Sequence, residues 1–281
     1  MDHSYDPTQP LNETTFAVLD VETTGLSPHY GDRVCEVGCL RVRGGCVLDR
    51  FASLVNPRRS ISPGAFHVNR ITPEMLRNAP TFDAVAERLL QVMDGAVWVA
   101  HNAPFDLGFL SAELGLIGQP LPQHPVVDTL MLARRAFHFT SNSLSAVAAV
   151  LKISGGPAHR ALGDVQTTFG VLEWMRQDLA QRQRVTTLGQ LIALQGGPLT
   201  IPPQNTPKEL SLPPLIAEAL ENGGRVRMRY MDAQGRESER VVRPLHVRAR
   251  GKTLYLIAHC YRRDAQRTFR LDRVVELTPE R

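Results

Sequence analysis

The sequence predicts an α/β domain built on a mixed sheet with flanking helices, followed by a small, β-barrel-like C-terminal domain. Three observations carry that expectation. An apolar strand and a hairpin within residues 16–55 are succeeded by alternating helical and strand-like segments to about residue 184. A stretch rich in Gly and Pro, GGPLTIPPQNTPKELSLPP, then fits neither helix nor central strand. The remaining residues form short alternating runs separated by turn signals.

Taken in order, MDHSYDPTQPLNETT is polar and reads as a frayed leader over residues 1–13 without the basic start and apolar middle of a secretory signal. Residues 16–20 form a buried strand. Residues 33–43 and 46–55 alternate around Gly44-Gly45, a hairpin signal. Helical spacing covers 81–93, with Thr81 as N-cap, and AVWVA at 96–100 is a short buried strand. Helices are expected over 106–114, 129–137, 143–151 and 160–183, with Val126-Val127 as a further strand. The α/β domain is expected over 14–184, and residues 185–211 supply a helix (187–195, where Gln190–Leu194 reads as packing) and the linker. The small domain, 212–281, opens with a helix at 215–222 and continues as strand-like runs at 225–231, 238–249, 253–260 and 267–277.

Composition is that of an ordinary globular chain, 43% hydrophobic and 21% charged over 281 residues. No run is apolar enough to span a membrane, and a cytoplasmic protein is expected. Cys35, Cys39, Cys46 and Cys260 lack the ligand spacing of structural zinc sites and read as reduced thiols. The net charge of +4 is uneven: residues 1–206 carry −2 and residues 207–281 carry +6. A basic C-terminal module beside a slightly acidic one points to a polyanionic partner such as nucleic acid.

Acidic residues gather where strands end. Asp20 and Glu22 follow the first strand, Asp106 opens the helix after AVWVA, Asp128 follows Val127, and Asp164 lies near the start of the long helix. Crevices beyond the carboxyl ends of strands collect ligands in α/β sheets. Four carboxylates there repel one another and need cations, and all-oxygen ligands favour Mg²⁺ or Mn²⁺. Two such ions about 4 Å apart suit phosphoryl transfer, and a histidine suits proton abstraction from the attacking water. His159, five residues before Asp164, would fall on a different face of one ideal helix. It is therefore expected on the loop after Gly155-Gly156-Pro157.

The motifs D-x-E-T-T-G (20–25), H-N-A-x-F-D (101–106) and H-R-A-x-x-D (159–164), in this order, resemble those of the DEDD-type 3′–5′ exonucleases of the histidine subtype, including the epsilon proofreading subunit of bacterial DNA polymerase III. The resemblance covers residues 14–182. It implies a ribonuclease-H-like fold and removal of nucleotides from a 3′ end. Asp20, Glu22 and Asp164 would hold the metals, Asp106 the second of them, and His159 would be the general base. Thr23, Thr24 and Gly25 would meet the terminal nucleotide. His101 and Asn102 would brace the crevice, and Phe105 would pack in the core with an edge offered to a base. Asp128 recurs in the family as a supporting acid and is read here as more structural than chemical. V-N-R-I-T (68–72) departs from the family's V-H-G-I-T at Asn69 and Arg70.

The C-terminal run with Leu254-Tyr255-Leu256 and R-x-F-R-L-D-R (267–273) resembles a WYL domain, with Leu254 where the tryptophan would stand. That resemblance implies a small Sm-like barrel that binds nucleic acid or nucleotide-type ligands. Tyr255, Arg270 and Arg273 are its expected contacts, and the module is also where a protein partner would dock. The combined expectation is a 3′–5′ exonuclease using two Mg²⁺ or Mn²⁺ ions on mainly single-stranded DNA. An RNA 3′ trimmer and a ligand-responsive DNA-binding regulator on a nuclease fold are the alternatives.

Overall fold

The computed structural model describes residues 5–28, 31–156, 158–199, 212–250 and 253–280. Most of the expected linker, the Arg250-Gly251 turn beyond Arg250, and residues 1–4 of the leader lie outside the described residues. The described chain divides into two compact units: Met1–Glu22, Val34–Arg58 and Glu74–Thr206 in one, and Thr23–Arg33, Arg59–Pro73 and Pro207–Arg281 in the other.

The first unit centres on a five-stranded mixed sheet. Its strands are β1 (Thr15–Thr23), β2 (Val34–Arg43), β3 (Cys46–Leu54), β4 (Val97–Ala100) and β5 (Val126–Asp128), in the order β3-β2-β1-β4-β5. β1, β4 and β5 run parallel, and β2 and β3 form the antiparallel hairpin. Its turn needs positive φ at both central positions, and Gly44 (56°) and Gly45 (81°) supply them. Alternation along β1 sorts its side chains between two cores. Ala17, Leu19 and Val21 face the cluster built with α3 (Phe82–Met93) and α4 (Ala103–Leu116). Phe16 and Val18 face the cluster built with α5 (Thr129–Ala136), α6 (Leu144–Leu151), α7 (Ala161–Gln183) and α8 (Leu188–Gln195).

Two expectations change here. Residues 7–13 do not fray: Leu11 is buried, its N–H donates to the Thr186 carbonyl (2.8 Å), and the Leu188 and Gly189 amides donate to the Gln9 and Pro7 carbonyls. A single apolar anchor with backbone bonds on both sides outweighs a polar composition. Thr81 does precede α3 with extended backbone, but its side chain caps nothing.

The second unit holds an antiparallel sheet of β6 (Arg225–Met231), β7 (Glu237–Arg250), β8 (Thr253–Cys260), β9 (Ala265–Arg270) and β10 (Val274–Glu280), in the order β10-β6-β7-β8-β9. β9 and β10 show no pairing among the described residues, so no closed barrel is seen. The run expected at 267–277 is two strands broken by a 3-10 turn at Leu271–Arg273. α9 (Pro214–Asn222) packs Ile216 and Ala219 into its core. The same unit contains α1 (Pro63–Asn69), one of two short helices, with α2 (Pro73–Leu76), that no periodicity announces. α1 lies so close to β10 that a Cβ on Gly64 would stand 2.9 Å from the Val274 carbonyl oxygen.

Candidate active site

β1 keeps its alternation as it leaves the apolar run. Asp20 and Glu22 therefore share the face of Phe16 and Val18, the face α7 covers. Asp164 reaches it from the first turn of α7. One ligand oxygen from each of Asp20, Glu22 and Asp164 lies within 4.8 Å of the others. Asp106, in the first turn of α4, is 3% exposed and takes the Val21 N–H on its Oδ1 at 3.0 Å. Burial, then the neighbouring Asp106, Glu22 and Asp164 carboxylates, push the Asp20 carboxyl well above its ordinary range. Burial also pushes Asp106 well up, against the pull of the Val21 N–H. Asp164 is raised by burial while His159 draws it down.

His159 stands two residues before α7, in the loop where it is expected. It has φ of 60° and an exposed side chain, and its N–H donates to Asp164 Oδ2 at 3.0 Å. The imidazole thus projects from a loop whose backbone is pinned to one of the acids. A left-handed non-glycine residue is a cost that such a bond offsets.

The sequence reading missed what fixes this loop. Glu36, 6% exposed on β2, takes the Arg160 guanidinium on both carboxylate oxygens (2.8–3.2 Å) and the Ala161 N–H on Oε2 at 3.1 Å. A carboxylate on the free N–H groups of a helix start is favourable in itself. Gly38, two residues along β2, lets α7 approach: a Cβ there would meet the Ala161 carbonyl carbon at 2.8 Å. The available signal was an acid inside the apolar run VCEVGC.

The other expected site residues are placed as follows. Asp128 caps α5 and ties down the turn before α4. It accepts from the N–H groups of Asn102 (3.0 Å), Ala103 (3.2 Å), Leu130 (2.9 Å) and Met131 (3.4 Å), while burial raises its pKa. Asn102 holds the left-handed N-cap position (φ 81°) without a side-chain cap. His101 donates from Nε2 to the Asn142 carbonyl (2.8 Å), which leaves Nδ1 to accept from Thr129 Oγ1 (2.9 Å); burial lowers its pKa to about 4. Phe105 is half-buried against Phe109, ring centroids 5.0 Å apart. In the second unit, Thr23 Oγ1 donates to the Gly25 carbonyl and Thr24 Oγ1 to Asp32. Asn69 Nδ2 donates to the Thr23 carbonyl (3.2 Å), so the residue that departs from the family pattern braces this loop. Tyr255 is half-buried opposite Arg270, whose guanidinium forks onto Asp272 (3.0 and 2.6 Å). Arg273 closes the 3-10 turn, half-buried.

Similarity to known proteins bears on both units of the chain. The family model described as exonuclease matches residues 17–172, and that described as WYL domain matches residues 213–279. The chain belongs to the exonuclease family. Among curated relatives, a putative bifunctional exonuclease/endonuclease protein of Mycobacterium tuberculosis is 42% identical over 170 residues, 58% of this chain and 26% of the relative. The 3′-5′ exonuclease DinG of Bacillus subtilis is 37% identical over 172 residues, 59% of this chain and 18% of the relative. A PolC-type DNA polymerase III of Bacillus cereus is 38% identical over 173 residues, 61% of this chain and 12% of the polymerase. The aligned region is thus about a quarter or less of each of these relatives. Among solved structures, Exonuclease X in complex with 5′ overhanging duplex DNA superposes with a TM-score of 0.51 at 26% identity, covering 64% of this chain and 99% of that one. The Escherichia coli exonuclease I–single-stranded DNA complex, at 17% identity and TM-score 0.54, covers 87% of this chain and 54% of that one and bears on the fold alone. No described helix is long and apolar enough to cross a membrane.

Proposed function

We propose that this chain is a divalent-metal-dependent 3′–5′ exonuclease that removes nucleotides from DNA, mainly single-stranded. Residues 14–184 form its exonuclease domain, and residues 212–281, joined through 185–211, form a nucleic-acid-binding module. The single observation that carries the reading is the convergence of the Asp20, Glu22 and Asp164 oxygens within 4.8 Å. The donor set fits Mg²⁺ or Mn²⁺: three hard oxygen donors, with Asp106 close by and the Asp20 carboxyl driven toward its neutral form where nothing compensates the charge.

Asp20, Glu22 and Asp164 would hold one cation, and Asp106 would help hold a second. Bound there, such ions polarise a phosphodiester and lower the pKa of a coordinated water. The chain's own residues do the rest. His159, exposed on its pinned loop, accepts the proton of the attacking water at a ring nitrogen. Glu36 and Arg160 hold that loop and the start of α7 in register with β1. Asp128 orients the turn that delivers Asp106. The loop Thr23–Gly25 offers backbone groups to the terminal nucleotide, braced by Asn69. DNA as substrate is supported by the DNA polymerase among the relatives and by the duplex-DNA complex among the structures.

Matched 3′-labelled single-stranded DNA, duplex DNA and RNA, incubated with Mg²⁺, test the reading. Single-stranded DNA is expected to lose its label fastest, EDTA to stop the loss, and Mg²⁺ or Mn²⁺ to restore it. Faster loss from RNA would move the assignment to RNA trimming. Binding of DNA without shortening would replace an enzyme with a DNA-binding regulator.

A further inference from the structure

The arginines of the C-terminal sheet differ in how they are engaged. Arg227 pairs with Glu239 and with Glu280, the residue opposite Arg225 on β10; Arg229 pairs with Glu276 (3.3 Å) and Glu237 (3.9 Å), and Arg270 with Asp272. These side chains are engaged within the sheet. Arg225, Arg243, Arg262 and Arg263, by contrast, are all exposed and form no ion pair among the described residues. Arg225 begins β6, just before the Val226–Val242 pair, and Arg243 on β7 stands opposite His259 on β8. Arg262 and Arg263 lie in the turn between β8 and β9.

Beside Arg225 lies an aromatic side chain that is not in the core. Tyr261 is 38% exposed. The Arg225 guanidinium lies over its ring at 4.4 Å, and the His259 ring meets it edge-on with centroids 4.8 Å apart. Asp264 is the acid of that turn; it lies 3.3 Å from His259 Nε2 and is almost wholly in solvent. Uncompensated guanidinium groups around a held, solvent-facing ring match a strand with a charge at each phosphate and flat bases between.

We propose that Arg225, Arg243, Tyr261, Arg262 and Arg263 form a binding surface for single-stranded nucleic acid, distinct from the Tyr255–Arg270–Arg273 positions. The choice of nucleic acid over other polyanions rests on the exonuclease reading above; the surface itself rests on the placement of these side chains. The guanidinium groups take phosphates and the Tyr261 ring takes a base. A duplex, whose bases are stacked internally, gains only the phosphate contacts.

The test uses the full chain in EDTA with a fluorescent circular oligo-dT, which has no 3′ end for the exonuclease site, and reads anisotropy across a salt series. Reversing three charges together (Arg243→Glu, Arg262→Glu, Arg263→Glu) is expected to weaken binding at least ~10-fold. It should also flatten the log Kd against log salt slope by about 2, from about 0.7 per lost phosphate contact on a single strand. Tyr261→Ala is expected to lose about 5- to 150-fold at unchanged slope, and Tyr261→Phe to keep wild-type affinity. Hydrolysis of a thymidine 5′-phosphate p-nitrophenyl ester in Mg²⁺ should stay within about twofold of wild type in all three variants. Unchanged affinity and slope in the charge-reversed variant would overturn the proposal. So would poly-glutamate competing as well as oligo-dT while Tyr261→Ala binds normally. Wild-type protein that binds the circle as described yet hydrolyses neither linear DNA nor the ester would remove the exonuclease reading and leave this surface standing.

Discussion

Asp20 shows how a destabilising residue becomes intelligible once its neighbours are in place. Burial and four nearby carboxylates raise its folded-state pKa, so its charge opposes folding. With the folded value above the unfolded one, its stabilising contribution is complete in acid. It is lost as pH rises from about 4 through the raised value. A cation in the cluster would reverse that loss at neutral pH. Asp20→Asn is accordingly expected to raise the melting temperature of metal-free protein at pH 7.5 and to abolish any gain on adding Mg²⁺. In wild type that gain corresponds to about 2.7 kcal/mol at a hundredfold excess over Kd. Differential scanning calorimetry with and without Mg²⁺ checks this, and an equal Mg²⁺ gain in both proteins contradicts it. His101 has the opposite sign. Its folded pKa of about 4 lies below the free value, so the neutral ring is favoured by folding. Stability from this residue is full above about pH 6.5 and drains away as pH falls toward 4, by at most about 3 kcal/mol. His101→Gln should flatten that acid limb in urea titrations run between pH 7 and 4.5.

Among the elements, the contact between β2 and the start of α7 governs the geometry of the site. Gly38→Ala places a methyl 2.8 Å from the Ala161 carbonyl carbon and 2.9 Å from the Leu162 nitrogen, both backbone atoms that cannot swing aside. It is expected to cost about 1–3 kcal/mol in thermal unfolding. It should also lower kcat more than it raises KM, because His159 and Asp164 move together. Glu36→Gln keeps the volume but loses the charged fork to Arg160, and should reproduce the kcat loss with a milder stability change of roughly 1–2 kcal/mol. Steady-state kinetics on a labelled oligonucleotide distinguishes both from wild type. This contact was not legible in the sequence. The strands were, because a sheet with two covered faces imposes an apolar run or strict alternation on each. The long helices were, through spacing and through caps such as Ser143, whose hydroxyl takes the Ala146 N–H. α1 and α2 were not, being too short to show a period. Nor was the 3-10 turn at Leu271–Arg273, whose local sequence continues the alternation of β9. Gln195 was hidden for a different reason. Its side-chain amide accepts from the Asp128 N–H (2.8 Å) and donates to the Val126 carbonyl (2.9 Å), serving the outer edge of β5. Such a role depends wholly on which strand becomes an edge.

At the scale of the molecule, the three acidic motifs were readable because each falls at a strand end or a helix start, where only a few residue types suit the chemistry. The basic C-terminal module was readable from charge alone, but which of its arginines are engaged in ion pairs needed the sheet's register. The thiols follow the same division between interior and surface. Cys35, Cys39 and Cys260 are buried and Cys46 is exposed; burial pushes Cys35 far up and Cys39 to about 12. Native protein should therefore give one fast-reacting thiol of four with an aromatic disulfide reagent, and Cys46→Ser should remove it. The account as a whole depends on a cation being held between β1 and α7. Anomalous diffraction from a crystal soaked in Mn²⁺ examines that most directly. The expected result is a peak bounded by the Asp20, Glu22 and Asp164 carboxylates that vanishes in Asp164→Asn. A clean map at that position, with the three carboxylates in their present places and Mn²⁺ bound elsewhere or not at all, would contradict it.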